Sequence, residues 1–571
     1  MNDPRDLPAA VPSAGSPSPD PLVRHFRQIL MWPLQLMPIE GLDGEVPRHW
    51  EYLDRCPGLN AWAELADEFT VDPAEFQERH YREFATFLPH VQRFLYGQAQ
   101  SVAGQVGYGE SPIRIFRRAD VAACRMRFAD GGTVDFHVQH IDLYFFFDID
   151  IVMLVVEIDA DDLPLSRAQE VLYRFGRASP AGWNPDGSAQ ACLRGCEWIG
   201  HDGQVLACSD LDDRAAYLRY TGSHRAQNVA AHWRFLLEPM VLHHSEHAGP
   251  LRYRQIEYHR IPKLTYLSLD DPFALSETDF VRLTLATRAE PGLPLPHSAG
   301  TIDEVTRTMF YDRFWNPDLR DVRASMRVTC NGHAMAMVGS SRHALFTDPQ
   351  AGLLGQFRHQ YFLVGLIAHF HKASLLSVSD QLLSTVSLLD VDDRSSARQF
   401  RTSIRSIREA FLRFNHRYWF HEVSNQSMAR DLFELWRTHL RTEVLFKELR
   451  EEILDMGQYL DSDDARQHGD AVLRLTVVTI LGLIGTIATG FMGMNLIDEA
   501  DNPLLVKIGY FAAVLLPTLA LTMLTVRYSK ALSELLDAVA DDSRRGWSQR
   551  WRTLREIVAG RRRRPPGLPR G

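Results

Sequence analysis

The residues with the most specific chemistry lie near the C-terminus. Leu475 to Met494 is an uncharged run of twenty residues, and Ile508 to Val526 is a second of nineteen. Gly493-Met494-Asn495 falls at the end of the first run. Within that run Gly482, Thr486, Thr489, Gly490 and Gly493 recur at three- and four-residue spacing, which places them on one helical face. Thr479 and Leu475 continue the stripe. Small residues on one face let helices approach closely. They also leave room for a hydrated ion, with threonine hydroxyls and carbonyls as oxygen ligands. Packing alone accounts for such a stripe in most two-span proteins, so both readings stand at this point.

Each run is long enough to cross a ~30 Å hydrocarbon core at about 1.5 Å per residue. Pro517 lies inside the second, which membrane helices tolerate when neighbours satisfy the freed carbonyl. The short connection carries Asp498, Glu499 and Asp501, with Lys507 only where the second run begins. Arg466 and Arg474 lie before the first run. Arg527, Lys530 and an arginine-rich tail ending in Arg561 to Arg564 follow the second. The positive-inside rule therefore predicts two transmembrane helices in the inner (plasma) membrane, both termini cytoplasmic and the acidic loop outside. The carboxylates of that loop would concentrate cations, although a merely solvated loop reads the same. Two helices cannot enclose a water-filled path, so conduction would require oligomers around an axis.

The rest of the chain has soluble character. It has 571 residues, 23% charged, with a formal net charge of −10 and a mean hydropathy of −0.21. Because the tail is basic, the remainder is more acidic still, which argues against nucleic acid as a partner. Six scattered cysteines suggest no disulfide framework. The Pro/Ser-rich start has no apolar signal core and is predicted to be disordered over residues 1–21. We find no P-loop, no GxSxG and no dinucleotide fingerprint, and so expect neither an enzyme nor a required cofactor.

Residues 22–350 mix strand and helix patterns and predict an α/β cytoplasmic domain, with an insertion near 180–250. Tyr81 to Tyr96 and Leu163 to Arg174 read as helices. Ile113 to Phe116, Thr133 to Val138, Leu264 to Leu269, Phe280 to Ala286 and Ser325 to Cys330 read as strands. The run Leu143 to Ile158 reads as one or two buried strands, because Asp148, Asp150 and Glu157 interrupt it. Residues 351–470 predict a helical stalk: Phe357 to Leu389, Ser395 to Phe414 and Asn425 to Leu460. Spans at 471–495 and 506–527, the outer loop 496–505 and a basic cytoplasmic tail at 528–571 complete the chain. Two other clusters carry ligand chemistry. Asp461, Asp463, Asp464 and Asp470, just before the first span, are candidate regulatory metal ligands, with a solvated charged collar as the alternative. His243 and His247 would share a helix face at i, i+4, yet no third ligand is identifiable.

A first span ending in Gly-Met-Asn, a short acidic outer loop, one more span and a basic end together resemble the CorA family of magnesium transporters. The resemblance covers Gly493-Met494-Asn495, both spans and the long helix feeding the first. It implies a homopentameric channel embedded in the bilayer. Asn495 would lie in a ring at the outer mouth, meeting the hydration shell of Mg²⁺. Thr486 would be a polar pore residue below it, Thr479 a second hydroxyl ring, and Leu475 part of a hydrophobic constriction. The ion, Mg²⁺ or another divalent cation, would be substrate and candidate regulator, held between subunits by carboxylates. The sequence departs from the family in its outer loop, in the displaced aromatic Phe491 and in its much longer soluble domain. Two further readings follow from these departures. One is a membrane-anchored oligomeric sensor or binding protein with a vestigial pore. The other is a zinc transporter on the same scaffold, since some relatives carry Zn²⁺, Co²⁺ or Ni²⁺.

Overall fold

The computed structural model describes residues 20–39, 48–56, 61–65, 78–97, 112–247, 249–257, 259–290, 293–387, 394–493 and most of 503–524. The chain divides between Glu452 and Ile453 into two compact units.

The first unit is built on one mixed, mainly antiparallel sheet with fourteen strands among the described residues. Its middle strand, Leu22–Leu36, pairs with Ile151–Pro164 along one edge. Along the other it pairs first with Lys263–Leu269 and then with Arg252–Gln255. Beyond Ile151–Pro164 the sheet continues through Thr133–Phe146 and Val121–Arg127 to Gly195–Gly200 and Val205–Cys208. Beyond Lys263–Leu269 it continues through its parallel neighbour Ala334–Ser340 to Ser325–Cys330 and Phe310–Trp315. The segment 180–250 thus adds strands to the same sheet.

Strand alternation gives this sheet two faces, and both are covered. One presents Phe26, Leu30, Trp32 and Leu34 to a core shared with the helices Leu165–Arg174 and Ala231–Leu237. Both ends of Leu165–Arg174 are held from afar. Asp20 accepts from the Ser166 N–H at 3.2 Å, and the buried Lys263 Nζ donates to the Leu172 and Phe175 carbonyls at 2.8 and 2.6 Å. Residues 20 and 21 therefore belong to the folded domain, which shortens the predicted disordered start.

The other face lies under the helix Phe362–Ser387. Phe370 stacks on Phe146 at 4.1 Å, and Phe362 meets Tyr144 edge-on. A Cβ on Gly365 would lie 3.2 Å from the Trp436 ring and 3.4 Å from Met31 Cε, so glycine sets how closely this helix approaches the middle strand. The helical run Leu353–Ser387 is long and apolar enough to cross a membrane, with mean hydropathy 1.3, yet 78% of that window is buried inside the protein. Its interior His371 donates from Nε2 to the Tyr418 carbonyl at 2.6 Å, and burial lowers the imidazole to about 3. It is a core helix of the first unit rather than the beginning of a stalk.

The same face carries a buried ionic cluster. Glu157, whose side chain is 1% exposed, lies 2.6 Å from His140 Nε2 and 2.8 Å from Arg358 Nε, and also pairs with Arg27. His140 Nδ1 is 3.1 Å from Asp142, which receives Arg117 at 2.7 and 2.9 Å. Burial alone would push the His140 imidazole down, but the two carboxylates outweigh it and hold its pKa at about 9. Burial pushes Glu157 up, and His140, Arg27 and Arg358 overcome this to hold it below its ordinary value.

Several elements differ from the sequence expectation. Phe280 to Ala286 lies in a helix, Glu277–Leu285, begun by a capping box in which Ser276 and Asp279 satisfy each other's backbone N–H groups. Tyr81 to Tyr96 is two helices, Glu78–Thr86 and Pro89–Tyr96, broken before Pro89. Asn425 to Leu460 is likewise broken, at Arg441, which takes a left-handed φ of 54° between Ser427–Leu440 and the helix beginning at Thr442.

His140→Leu should destabilise the first unit by about 3–5 kcal/mol, because it leaves two buried carboxylates short of a cation. His140 binds its proton more tightly folded than unfolded. Its contribution is therefore complete below its ordinary pKa of 6.5 and lost as pH rises through about 9. Thermal unfolding of the wild type between pH 6 and 10 should show this loss, and the variant should not.

Candidate functional site

The helix Thr442–Gly493 runs unbroken for 52 residues, about 78 Å at the α-helical rise. Gly493 is its last residue. Met494, Asn495, Asp498, Glu499 and Asp501 lie outside the described residues. Asp461, Asp463, Asp464 and Asp470 are on this helix, and their side chains also lie outside the description.

In the second unit the helix has two distinguishable faces. One meets residues of the second apolar run: a Cβ on Gly485 would come within 2.7 Å of the Thr518 methyl carbon. Val477 is also buried, and Thr489, about 40° round the helix from Gly485, is half-buried. The predicted stripe lies roughly 100° round the helix from Gly485, at 100° per residue. Leu475 is 67% exposed there, and Thr479, Gly482, Thr486 and Gly490 are exposed with it. Among the described residues nothing lies within 4 Å of where a Cβ would stand on Gly482 or Gly490. Gly485, absent from the sequence-predicted set, is the residue that allows close approach within the chain. Its signal was the same small-residue composition that marked the predicted stripe.

The threonine hydroxyls are oriented by their own helix. Thr479 Oγ1 donates to the Leu475 carbonyl at 2.8 Å, and Thr486 Oγ1 donates to the Gly482 carbonyl at 2.9 Å. Thr489 Oγ1 donates to Gly485 at 3.0 Å. Each hydroxyl proton is thereby engaged in the backbone, and the oxygen keeps lone pairs to offer outward. An exposed row of oriented acceptors suits a hydrated cation.

The solved complete structure of the CorA magnesium transporter from Methanocaldococcus jannaschii aligns with this chain at 14% identity, covering 48% of this chain and 93% of that one. The TM-score is 0.18, too low to carry an argument about shared fold. No family model and no curated protein matches the chain. The likeness to that family therefore rests on the Gly-Met-Asn placement and the span pattern.

The predicted histidine pair does not assemble on one helix face. His243 and His247 lie in a strand end and turn rather than on a helix, where Ser245 meets His247 Nδ1 at 2.8 Å. His244 stacks on His224 at 5.4 Å between ring centres. Among the described residues no group of three or more His, Cys, Asp or Glu side chains is arranged to hold a metal.

The two faces make opposite predictions for one substitution. Gly485→Leu should lower the thermal stability of the detergent-solubilised protein, by about 1–3 kcal/mol, since the new side chain overlaps Thr518. Gly482→Leu should leave intrachain packing intact. Equal losses in both variants would show that the faces are misassigned.

Proposed function

We propose that this chain forms a homopentameric channel that passes Mg²⁺, or a related divalent cation such as Co²⁺, Ni²⁺ or Zn²⁺, passively across the inner membrane. The observation that carries the reading is Gly493-Met494-Asn495 ending an uncharged twenty-residue run with one more apolar run to follow. The exposed stripe supports it. Packing within the chain uses Gly485, which leaves Thr479, Gly482, Thr486 and Gly490 for an axis shared with other subunits.

In this reading both termini are cytoplasmic. Mg²⁺ dehydrates reluctantly, so recognition at the mouth acts on the hydrated ion through the amide oxygens of an Asn495 ring. The oriented oxygens of Thr486 and Thr479 then accept hydrogen bonds from the ion's water shell as it passes. A ring of Leu475 side chains closes the path by dewetting when the helices tighten. Asp498, Glu499 and Asp501 raise the local cation concentration at the outer mouth. Asp461, Asp463, Asp464 and Asp470 are the carboxylates through which cytoplasmic metal would restrain opening.

Proteoliposomes holding a Mg²⁺-sensitive dye test the reading. The wild type should admit Mg²⁺ along an imposed gradient without nucleotide hydrolysis, and Asn495→Ala, which removes every amide oxygen of the proposed ring, should cut the initial flux at least about ten-fold. Unchanged flux in that variant would remove Asn495 from the path. Competition among Mg²⁺, Co²⁺, Ni²⁺ and Zn²⁺ in the same assay ranks the ions.

A further inference from the structure

Where two helices meet in the first unit, each shows charges that find no partner inside the chain. The helix Arg394–Arg417 buries Ile404, Ile407 and Phe411. Near its start, the helix Thr442–Gly493 buries Phe446 and Leu449. The two are joined where Phe411 stacks on Phe446 at 5.5 Å.

Away from that seam each helix shows a second stripe. On the first, Arg405, Arg408 and Leu412 are exposed, at spacings of three and four. They share a face roughly 100° round from the buried one, at 100° per residue. On the second, Val444, Glu448 and Glu451 are exposed, at spacings of four and three. Their face lies roughly opposite the one that carries Phe446 and Leu449. It therefore points away from the arginine stripe of its own chain. Among the described residues none of these four charged side chains makes an ion pair. The nearby Glu443 is spent within the chain, on Arg437 at 2.6 Å and Lys447 at 3.5 Å. Each stripe also sets like charges one turn apart, which repel along the helix.

The stripes are mirror images in spacing and opposite in sign. Laid antiparallel they form three layers at once: Arg405 opposite Glu451, Arg408 opposite Glu448, and Leu412 opposite Val444. A parallel register would pair the arginines with glutamates but put Leu412 opposite Asp455. We propose that the Arg405–Arg408–Leu412 stripe of one copy packs antiparallel on the Val444–Glu448–Glu451 stripe of the next. Because the two stripes are different surfaces the contact is head-to-tail, and such contacts can close into rings. Exposed ion pairs are individually weak. Copies already gathered by their membrane spans meet at high effective concentration, so weak pairs suffice to set how neighbours are aligned. An anionic lipid surface would answer the arginines and leave the mirrored glutamates without a role. The inference rests on the oligomeric reading above and adds to it the surfaces that meet.

Crosslinking of the full chain in nanodiscs tests it, in a Cys208→Ser background that removes the exposed thiol. Leu412→Cys with Val444→Cys should be joined between chains by a short bis-maleimide, giving dimers and higher multiples on denaturing gels. Leu412→Cys with Glu451→Cys, displaced by about 10 Å along the helix, should not. Adding Arg405→Glu and Arg408→Glu to the first pair should slow linking about ten-fold, as two exposed ion pairs turn to repulsion. Adding Glu448→Arg and Glu451→Arg as well should restore it. Linking within one chain, linking that ignores the charge reversals, or reversals that the second set does not rescue would overturn the proposal. Light scattering on the unlinked wild type separates this inference from the reading beneath it. Pentameric mass without linking removes this contact and leaves the channel reading intact, whereas monomeric mass removes both.

Discussion

A carboxylate held at 1% exposure inside an apolar layer must be paired, and the first unit is arranged around that requirement. Glu157 gathers Arg27 from the middle strand, His140 from the strand on its other side and Arg358 from the helical run above. Three separate parts of the chain are thereby registered at one point. Replacing such a cluster by well-packed apolar residues often stabilises a protein, so its value here is less in net energy than in fixing alignment. Sliding the Leu22–Leu36 strand by one residue would turn Arg27 to the opposite, apolar face and strand Glu157 without its partner. The covering helix is tied in the same way: Arg358 reaches Glu157 from a π turn over Phe357–Tyr361, just before the long helix that Gly365 seats against Met31.

How much of this was legible in the sequence depended on whether a signal was local. Lys263–Leu269, Ser325–Cys330 and the two strands of Leu143 to Ile158 were readable from short apolar runs bounded by turns. The middle strand itself was not, since Pro33 sits inside it and proline argues against a central strand. The structure resolves this through pairing. The Met31 N–H faces the Pro262 carbonyl at 2.9 Å, and so the Pro33 nitrogen two residues on faces the same edge. There it falls in the gap between the strand that ends its pairing at Leu30 and the one that begins at Leu34. No ladder bond is lost. The helix at Glu277–Leu285 failed for the opposite reason. Its Phe280-Val281 run looked like a strand, while the Ser276–Asp279 capping signal beside it was given too little weight.

The charges in Leu143 to Ile158 show why pattern alone stops short of function. They were sufficient to exclude a membrane span. Their partners were not predictable, because Arg27 and Arg358 are 130 and 201 residues away from Glu157. By contrast the stripe was legible as one helical face, since one helix carries all of its residues and spacing along a helix is enough to place them.

The second unit turns one composition to two uses. A helix rich in glycine and threonine has no apolar driving force to choose which face packs in lipid, so shape decides. Gly485 is the position where the Thr518 methyl enters, and its face is thereby spent on intrachain packing. The face bearing Thr479, Gly482, Thr486 and Gly490 keeps its backbone accessible and its hydroxyl protons satisfied internally. In hydrocarbon an unpaired hydroxyl proton would cost energy, and here none is left over. An exposed oxygen acceptor costs little where water is present. Threonine makes this i−4 bond in any helix interior, as Thr476 does off the stripe; under the proposed conduction reading it leaves the stripe's oxygens as acceptors toward the axis.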